Sequence, residues 1–177
     1  MYPYERGPFL TVRGLIVDVM PARRNGRSDS CILYFTVEDG DGNIVNVMVT
    51  PFTFVADWKP LSVGQEVIFW YRADAPMPLI YPPQYTAVVA APVKSGRMYD
   101  VSFYNDSLVN VERTLQLRID KSVMLRTSNN QYFQGSPANH NLFVSYTTST
   151  RSLPAQTTPA EVIVLCGETQ QDEGVTF

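Results

Sequence analysis

Three arginines, Arg23, Arg24 and Arg27, lie together in the string "PARRNGRSDS". The Asn-Gly pair inside it indicates a turn, so we expect the cluster on a loop between two strands. Guanidinium groups bind phosphates and carboxylates, and such a loop could contact nucleic acid, a protein or another anionic partner. Because the arginines are few and Asp29 lies beside them, a solvated basic loop is the interpretation that we favour.

Aromatic residues on neighbouring strands could extend this cluster into a binding face. A base stacked on an aromatic ring contributes about 1–3 kcal/mol in single-strand binding. Alternating aromatics also fill the core of small barrels, so the pattern leaves both roles open. The candidate ligand-binding residues are Arg23, Arg24, Arg27, Tyr34, Trp70 and Tyr71.

No residue set for catalysis, a metal or a cofactor is predicted. His140 is the only histidine, and its polar context "SPANHN" predicts a solvated loop without triad or zinc partners. The string "DGDGN" begins like a calcium loop but has Ile44 at its sixth position and Thr50 at its twelfth, so we expect a hairpin turn. We therefore expect a protein that is not an enzyme.

Charge argues against a dedicated nucleic-acid binder, which usually has a basic excess. The formal net charge is −3, and the last eleven residues, 167–177, carry three acidic and no basic side chains. We expect this segment to be a disordered acidic tail. Residues 1–166 are then almost neutral.

Cysteine content and hydropathy bear on the compartment. Cys31 and Cys166 each lie in an apolar run, which predicts buried, reduced thiols, with a disulfide between the halves as the alternative. No run reaches the roughly 18 apolar residues of a membrane span, so no membrane insertion is expected. We expect a cytoplasmic protein, or an extracellular one if a signal peptide has been removed.

The first half predicts five strands, over 12–20, 31–39, 44–50, 66–71 and 85–93. A turn or short helix is expected between the third and fourth strands, which is the order of elements in an OB-fold barrel. The proline-rich string "MPLIYPP" at 77–83 suits either a protein contact or packing between two lobes, and packing is the interpretation that we favour.

The second half repeats this pattern. "TLQLRID" matches "IVNVMVT" at an offset of 70 residues, and "NLFVSY" matches "EVIFWY" at an offset of 75. A connector recurs at an offset of 72, with proline, glutamine and threonine at Pro82, Gln84, Thr86 and at Pro154, Gln156, Thr158. We expect its glutamine to satisfy backbone groups that proline leaves unpaired, with ligand binding as the alternative.

The predicted fold class is therefore all-β, with tandem small OB-fold-like β-barrels. Residues 1–95 form the first barrel and 96–166 the second. Because 98–112 is shorter than its counterpart, the second barrel is expected to be abbreviated or completed by the first.

The string "NHNLFVSYTTSTRSLPAQTTPAEVIVL", with "LQLRIDKSVML" upstream, resembles uncharacterised repeat domains of Firmicutes. These are often found alongside copper-amine-oxidase-like N-terminal domains. The resemblance implies an all-β module and brings no catalytic residues.

Two functions follow. The leading hypothesis is a non-catalytic binding or assembly module with a protein partner or self-association. The alternative is single-stranded nucleic-acid binding through the Arg23–Arg27 loop and an OB-like face.

Overall fold

The computed structural model describes residues 8–166, and its strands make the protein all-β. These residues divide into two compact units, Phe9–Lys94 and the chain from Ser95 onward. The acidic segment 167–177 lies outside the described residues. Among the residues described, no helix has the length and hydropathy to cross a membrane.

The first unit contains seven strands. They are β1 (Phe9–Arg24), β2 (Arg27–Glu38), β3 (Ile44–Val49), β4 (Phe54–Val55), β5 (Glu66–Arg72), β6 (Gln84–Thr86) and β7 (Val89–Pro92). β1, β2 and β3 form an antiparallel meander, and β5 pairs antiparallel with the other edge of β1. A 3-10 turn at Ala56–Trp58 follows β4.

The last segment of the first unit joins the two ends of this sheet. β6 pairs in parallel with β3, and β7 pairs antiparallel with β5. Between them, Ala87 N donates to Met48 O at 2.9 Å and Val88 N donates to Trp70 O at 2.8 Å. The segment 84–92 is therefore hydrogen-bonded to both β3 and β5. The core of this unit contains Val12, Ile16, Phe35, Val37, Val47, Val67, Phe69, Ala87 and Ala90.

The second unit contains six strands. They are β8 (Met98–Tyr104), β9 (Leu115–Leu117), β10 (Met124–Thr127), β11 (His140–Tyr146), β12 (Ala155–Thr157) and β13 (Glu161–Val164). Four form a sheet in the order β10-β13-β11-β8, and β12 pairs in parallel with β9. The core contains Tyr104, Leu115, Leu117, Val123, Leu142, Val144, Val162 and Val164.

The two units share four strand pairings. The order β4-β7-β5-β1 in the first unit corresponds to β10-β13-β11-β8 in the second, and the parallel pair β3/β6 corresponds to β9/β12. Loop hydrogen bonds recur as well. Gly64 N donates to Ile16 O at 2.9 Å, and Asn139 N donates to Tyr104 O at 2.8 Å at the matching place.

The second unit lacks a full counterpart of β2. That place is taken by two residues, because Asn110 bridges Tyr104 at the end of β8 and Val109 bridges Gln116 in β9. Hydrogen-bonded turns precede and follow these two residues, with Leu108 N donating to Asn105 O and Arg113 N donating to Asn110 O, both at 3.0 Å. The segment 105–114 therefore replaces the long β1–β2 hairpin.

Three local predictions were wrong. Both cysteines are free, as predicted, but they are exposed rather than buried, because Cys31 lies in a bulge of β2 and Cys166 follows the end of β13. His140 begins β11 and is half-buried instead of lying in a solvated loop. The expected arginine loop is a paired ribbon, because β1 and β2 extend to the pair Arg24–Arg27.

Candidate functional site

The three arginines lie at the tip of a two-stranded ribbon. Arg23 pairs with Ser28 and Arg24 with Arg27, and only Asn25 and Gly26 remain in the turn. Asn25 has φ 50° and Gly26 has φ 76°, the left-handed geometry that a two-residue hairpin turn requires and that Asn-Gly supplies readily. The Asn-Gly signal was therefore interpreted correctly as a turn, whereas the length of the flanking strands was underestimated.

The ribbon contains a bulge below its tip. Pro21 pairs with Leu33 but the next residue, Ala22, pairs with Asp29, so residues 30–32 are left outside the ladder. Asp29 stabilises this bulge, since its Oδ1 accepts a hydrogen bond from Cys31 N at 3.1 Å. No ion pair within residues 8–166 joins Asp29 to an arginine of the tip.

The side chains of the arginine tip carry uncompensated charge. Arg23, Arg24 and Arg27 are all exposed, and none makes an ion pair or a side-chain hydrogen bond within the described chain. Three positive charges on a narrow projection attract anions through a field that salt screens beyond about 10 Å at 0.1 M. The tip is therefore accessible to a phosphate or carboxylate ligand.

The aromatic candidates on β5 are engaged in packing. Trp70 is only 5% exposed, and the Tyr71 ring stacks on Tyr85 with centroids 4.0 Å apart and an interplanar angle of 17°. Burial, and then the hydrogen bond with Tyr85, raises the pKa of Tyr71 to about 12. A base could stack on Trp70 only if this ring left its buried position.

Tyr34 is half-buried and held by the connector glutamine. Gln84 Nε2 donates to Tyr34 Oη at 3.2 Å and lies 3.3 Å from Met48 Sδ. Tyr34 lies on the opposite side of β2 from the core residues Phe35 and Val37. The structure therefore brings the three arginines together at one tip, and places Tyr34, Trp70 and Tyr71 in other contacts.

The second connector makes a different contact at the matching position. Gln156 Oε1 accepts a hydrogen bond from Arg118 Nη2. Arg118 occupies the position that corresponds to Met48 at the offset of 70 residues. Both glutamine side chains thus bond to side chains, rather than to the backbone groups that we expected. In both connectors the peptide bond before the proline, Tyr81–Pro82 or Leu153–Pro154, is cis.

Four exposed apolar side chains occur together in the loop before the first connector. Met77 is 51%, Leu79 104%, Ile80 54% and Tyr81 87% exposed, and we call residues 77–81 the apolar loop. Near its start, Arg72 makes two hydrogen bonds to the Asp74 carboxylate, Nε to Oδ1 at 3.0 Å and Nη2 to Oδ2 at 3.2 Å. The sequence identified this loop as a possible contact surface, and the structure shows these four side chains exposed.

A buried polar network in the second unit was missed by the sequence analysis. Asp100 Oδ2 accepts hydrogen bonds from Tyr104 Oη and from Asn110 Nδ2, the latter at 3.2 Å. A strand of alternating polar and aromatic residues, "MYDVSFY", gave no signal that its polar side would face a core.

The "DGDGN" string forms a tight turn. Asp39 Oδ1 accepts hydrogen bonds from Asp41 N and Asn43 N, both at 2.9 Å, and the Asn43 side chain lowers the pKa of Asp39. Within residues 8–166 no three His, Cys, Asp or Glu side chains are grouped as metal ligands would be. No protein-family model and no curated protein sequence matches this chain.

Proposed function

We propose that the chain is a non-catalytic module that associates with protein through its apolar loop. The observation that carries this proposal is the run of exposed side chains at Met77, Leu79, Ile80 and Tyr81. Adjacent exposed apolar residues often mark interaction surfaces, and aromatic and methionine side chains are enriched in the cores of protein interfaces. Removing a leucine side chain from water contributes about 1.5–3 kcal/mol, so a few such residues supply a useful binding energy.

The strand pairings support a more specific architecture for this module. A closed circuit in which a final strand joins β3 and β5 is the connectivity of an OB-fold barrel. The recurrence of the same pairings at offsets near 72 residues supports a duplicated unit, with the second copy abbreviated. We propose a tandem OB-like arrangement, in keeping with the resemblance to the Firmicutes repeat domains.

Sedimentation velocity tests the assembly form of this function. The wild-type chain should show a sedimentation coefficient that rises with concentration, and a variant with Leu79, Ile80 and Tyr81 replaced by serine should remain monomeric. Val63→Ser is the matched control, because Val63 is 59% exposed but lies outside the apolar loop. A wild-type chain that is monomeric at every concentration, or a triple variant that still associates, would contradict self-assembly through this loop.

Single-stranded nucleic acid is the second candidate ligand, favoured by the unpaired charges at the arginine tip. If three phosphates are neutralised, affinity should vary with salt with a logarithmic slope of about −2, or roughly 20-fold between 50 and 200 mM. Fluorescence anisotropy with a labelled oligothymidylate measures this. Replacing Arg23, Arg24 and Arg27 with glutamine should abolish binding, whereas Arg13→Gln should not, because Arg13 already pairs with Glu66 at 2.9 Å. Binding that survives the triple replacement would exclude the tip.

A further inference from the structure

The arginine tip carries its charges on both faces of the ribbon. Arg24 pairs with Arg27, whereas the adjacent Arg23 pairs with Ser28. Paired residues of antiparallel strands share a face and successive residues alternate between faces, so Arg24 and Arg27 lie on one face and Arg23 on the other. A flat anionic surface can meet only one face of such a ribbon, whereas a ligand that surrounds the ribbon can neutralise all three charges.

Arg24 and Arg27 also form a like-charge pair. Like charges directly opposite each other on antiparallel strands destabilise the pairing. Both side chains are exposed, and within residues 8–166 neither makes an ion pair. The acidic residue closest to them in β2, Asp29, accepts a hydrogen bond from Cys31 N at 3.1 Å. An anion bound at the two guanidinium groups would remove the repulsion between them.

The ribbon is kept two strands wide. β5 pairs with β1 only as far as Leu15, and β3 pairs with β2 only as far as Leu33, so no strand of the described chain lies along either edge of the tip. Pro21 has no N–H to donate, and residues 30–32 form a bulge. Both features oppose the addition of a further strand. The tip is therefore a narrow projection rather than an edge that extends the sheet.

The tip lacks the aromatic surface that single-stranded ligands use. Single strands are bound in basic grooves whose aromatic side chains stack on successive bases. Residues 22–29, which form the end of the ribbon, contain no aromatic side chain. Trp70 is only 5% exposed, and Tyr34 is hydrogen-bonded to Gln84. A nucleic acid whose bases remain paired and stacked does not need such a surface.

We propose that the arginine tip enters the major groove of duplex DNA. This inference rests on the second candidate function in placing nucleic acid at the tip, but it assigns a duplex rather than a single strand. The major groove of B-DNA is about 12 Å wide and admits a two-stranded β-ribbon. Phosphates border this groove on both sides, which matches a ribbon with charges on both faces. Arginine also binds the O6 and N7 atoms of guanine, which are presented in the same groove.

Fluorescence anisotropy with a labelled DNA duplex of about two helical turns tests the proposal. The wild-type chain should bind this duplex more tightly than either separated strand. It should also bind it more tightly than an RNA duplex of the same sequence, because side chains cannot read the deep, narrow major groove of RNA. With three phosphates neutralised, the logarithmic salt slope should be about −2.7, a loss of affinity of roughly 40-fold between 50 and 200 mM.

The failures of this inference and of the second candidate function are distinguishable. Tighter binding to the single strands would overturn the duplex assignment and leave the second candidate function standing. Equal binding to the RNA duplex would contradict entry into the major groove. Absence of binding to every nucleic acid would exclude both.

Single replacements on the two faces test the geometry. Arg23→Gln and Arg24→Gln should each weaken duplex binding and reduce the magnitude of the salt slope by about 1, because a groove contacts both faces. Arg13→Gln is the matched control and should change neither quantity, because Arg13 is exposed but pairs with Glu66 at 2.9 Å. An effect of only one of the two tip replacements would show that the ribbon lies flat on its ligand, and would overturn the proposal.

Competition with small cations identifies the groove. Methyl green, which occupies the major groove, should displace the protein from a duplex that contains an A·T tract. Netropsin, which occupies the minor groove, is the matched control, since it is also a cation and competes for the same phosphate field. Displacement by netropsin that equals or exceeds displacement by methyl green would rule out the major groove.

Discussion

The two units share an order of strand pairing and differ in how they treat the second strand. In the first unit β2 has 12 residues, pairs with both β1 and β3, and extends beyond the sheet as a ribbon with the arginine tip. In the second unit the corresponding place contains only the bridging residues Val109 and Asn110. In the first unit, extended backbone makes the contacts between this segment and the neighbouring strands. In the second unit, polar side chains contribute to the corresponding contacts.

Gly14 and Ser102 occupy corresponding positions and show how a side-chain contact replaces a backbone contact. Gly14 pairs with Val67 and Ser102 with Leu142, which correspond at an offset of 75 residues. A Cβ on Gly14 would lie 2.2 Å from Glu38 O, because the β2 backbone approaches closely there. Where β2 is missing, a side chain fits, and the Ser102 hydroxyl accepts the Val111 N–H that lacks a regular strand partner.

The largest effect expected from this comparison is that of Gly14→Ala. A contact of 2.2 Å with backbone oxygen cannot be relieved by a rotamer change, so β1 and β2 must separate. We expect a loss of about 3 kcal/mol in the free energy of unfolding, at the upper end for overpacking. Urea denaturation measures it.

Gly40→Ala is the matched control for the Gly14 substitution. No atom lies within 4 Å of a Cβ built at Gly40, and its φ is not in the left-handed region. The control should change stability by no more than about 0.5 kcal/mol. Equal effects of the two substitutions would show that the close approach of β1 and β2 is not a constraint.

A smaller loss is expected from Asn110→Ala in the second unit. This variant leaves the backbone N–H groups of Thr114 and Leu115 without the Asn110 oxygen that they now share. Loss of a buried hydrogen-bond partner costs about 1–3 kcal/mol, and we expect about 2 kcal/mol by urea denaturation. Asp39→Ala, in an exposed turn of the first unit, should cost less, because water replaces the lost acceptor. The opposite order would contradict the proposed dependence of the second unit on side-chain contacts.

Strand periodicity predicted the all-β class and the positions of several strands. β3, β5 and β11 lie within a residue or two of their predicted limits, because each alternates or runs apolar between clear turn signals. The offsets found from "IVNVMVT" and "EVIFWY" also identify strands that pair in the same way. β10 was missed because "MLRT" is too short to show a period, and its parallel pairing with β13 is a tertiary contact.

The candidate site was harder to predict from the sequence than the strands were. The arginines could be grouped because they are adjacent in the chain, but no local signal showed that β1 and β2 continue to Arg24 and Arg27. Tryptophan and tyrosine serve both to stack on bases and to pack in a core. The sequence therefore could not show whether Trp70 and Tyr71 are buried. Asp100 was missed because its environment depends on Asn110 and Glu112, which come close to it only in the folded chain.

At neutral pH, Tyr71→Phe is expected to change the free energy of unfolding least. The variant is informative at alkaline pH, where it allows the two units to be compared. The pKa of Tyr71 is raised to about 12, first by burial and then by its hydrogen bond with Tyr85. The folded state therefore holds the phenolic proton more tightly, and this stability is complete below pH 10 and is lost as the pH approaches 12.

Wild-type protein should accordingly lose stability in this alkaline range by more than the Tyr71→Phe variant, as urea denaturation at several pH values would show. An NMR titration that follows the ring signals of the individual tyrosines should then separate the two units. Burial and the Asp100 charge raise the pKa of Tyr146, the residue that corresponds to Tyr71 in the second unit. Asp100→Asn should therefore lower the midpoint of Tyr146 and leave that of Tyr71 unchanged. A parallel shift of both tyrosines would mean that the Asp100 network does not act within the second unit alone.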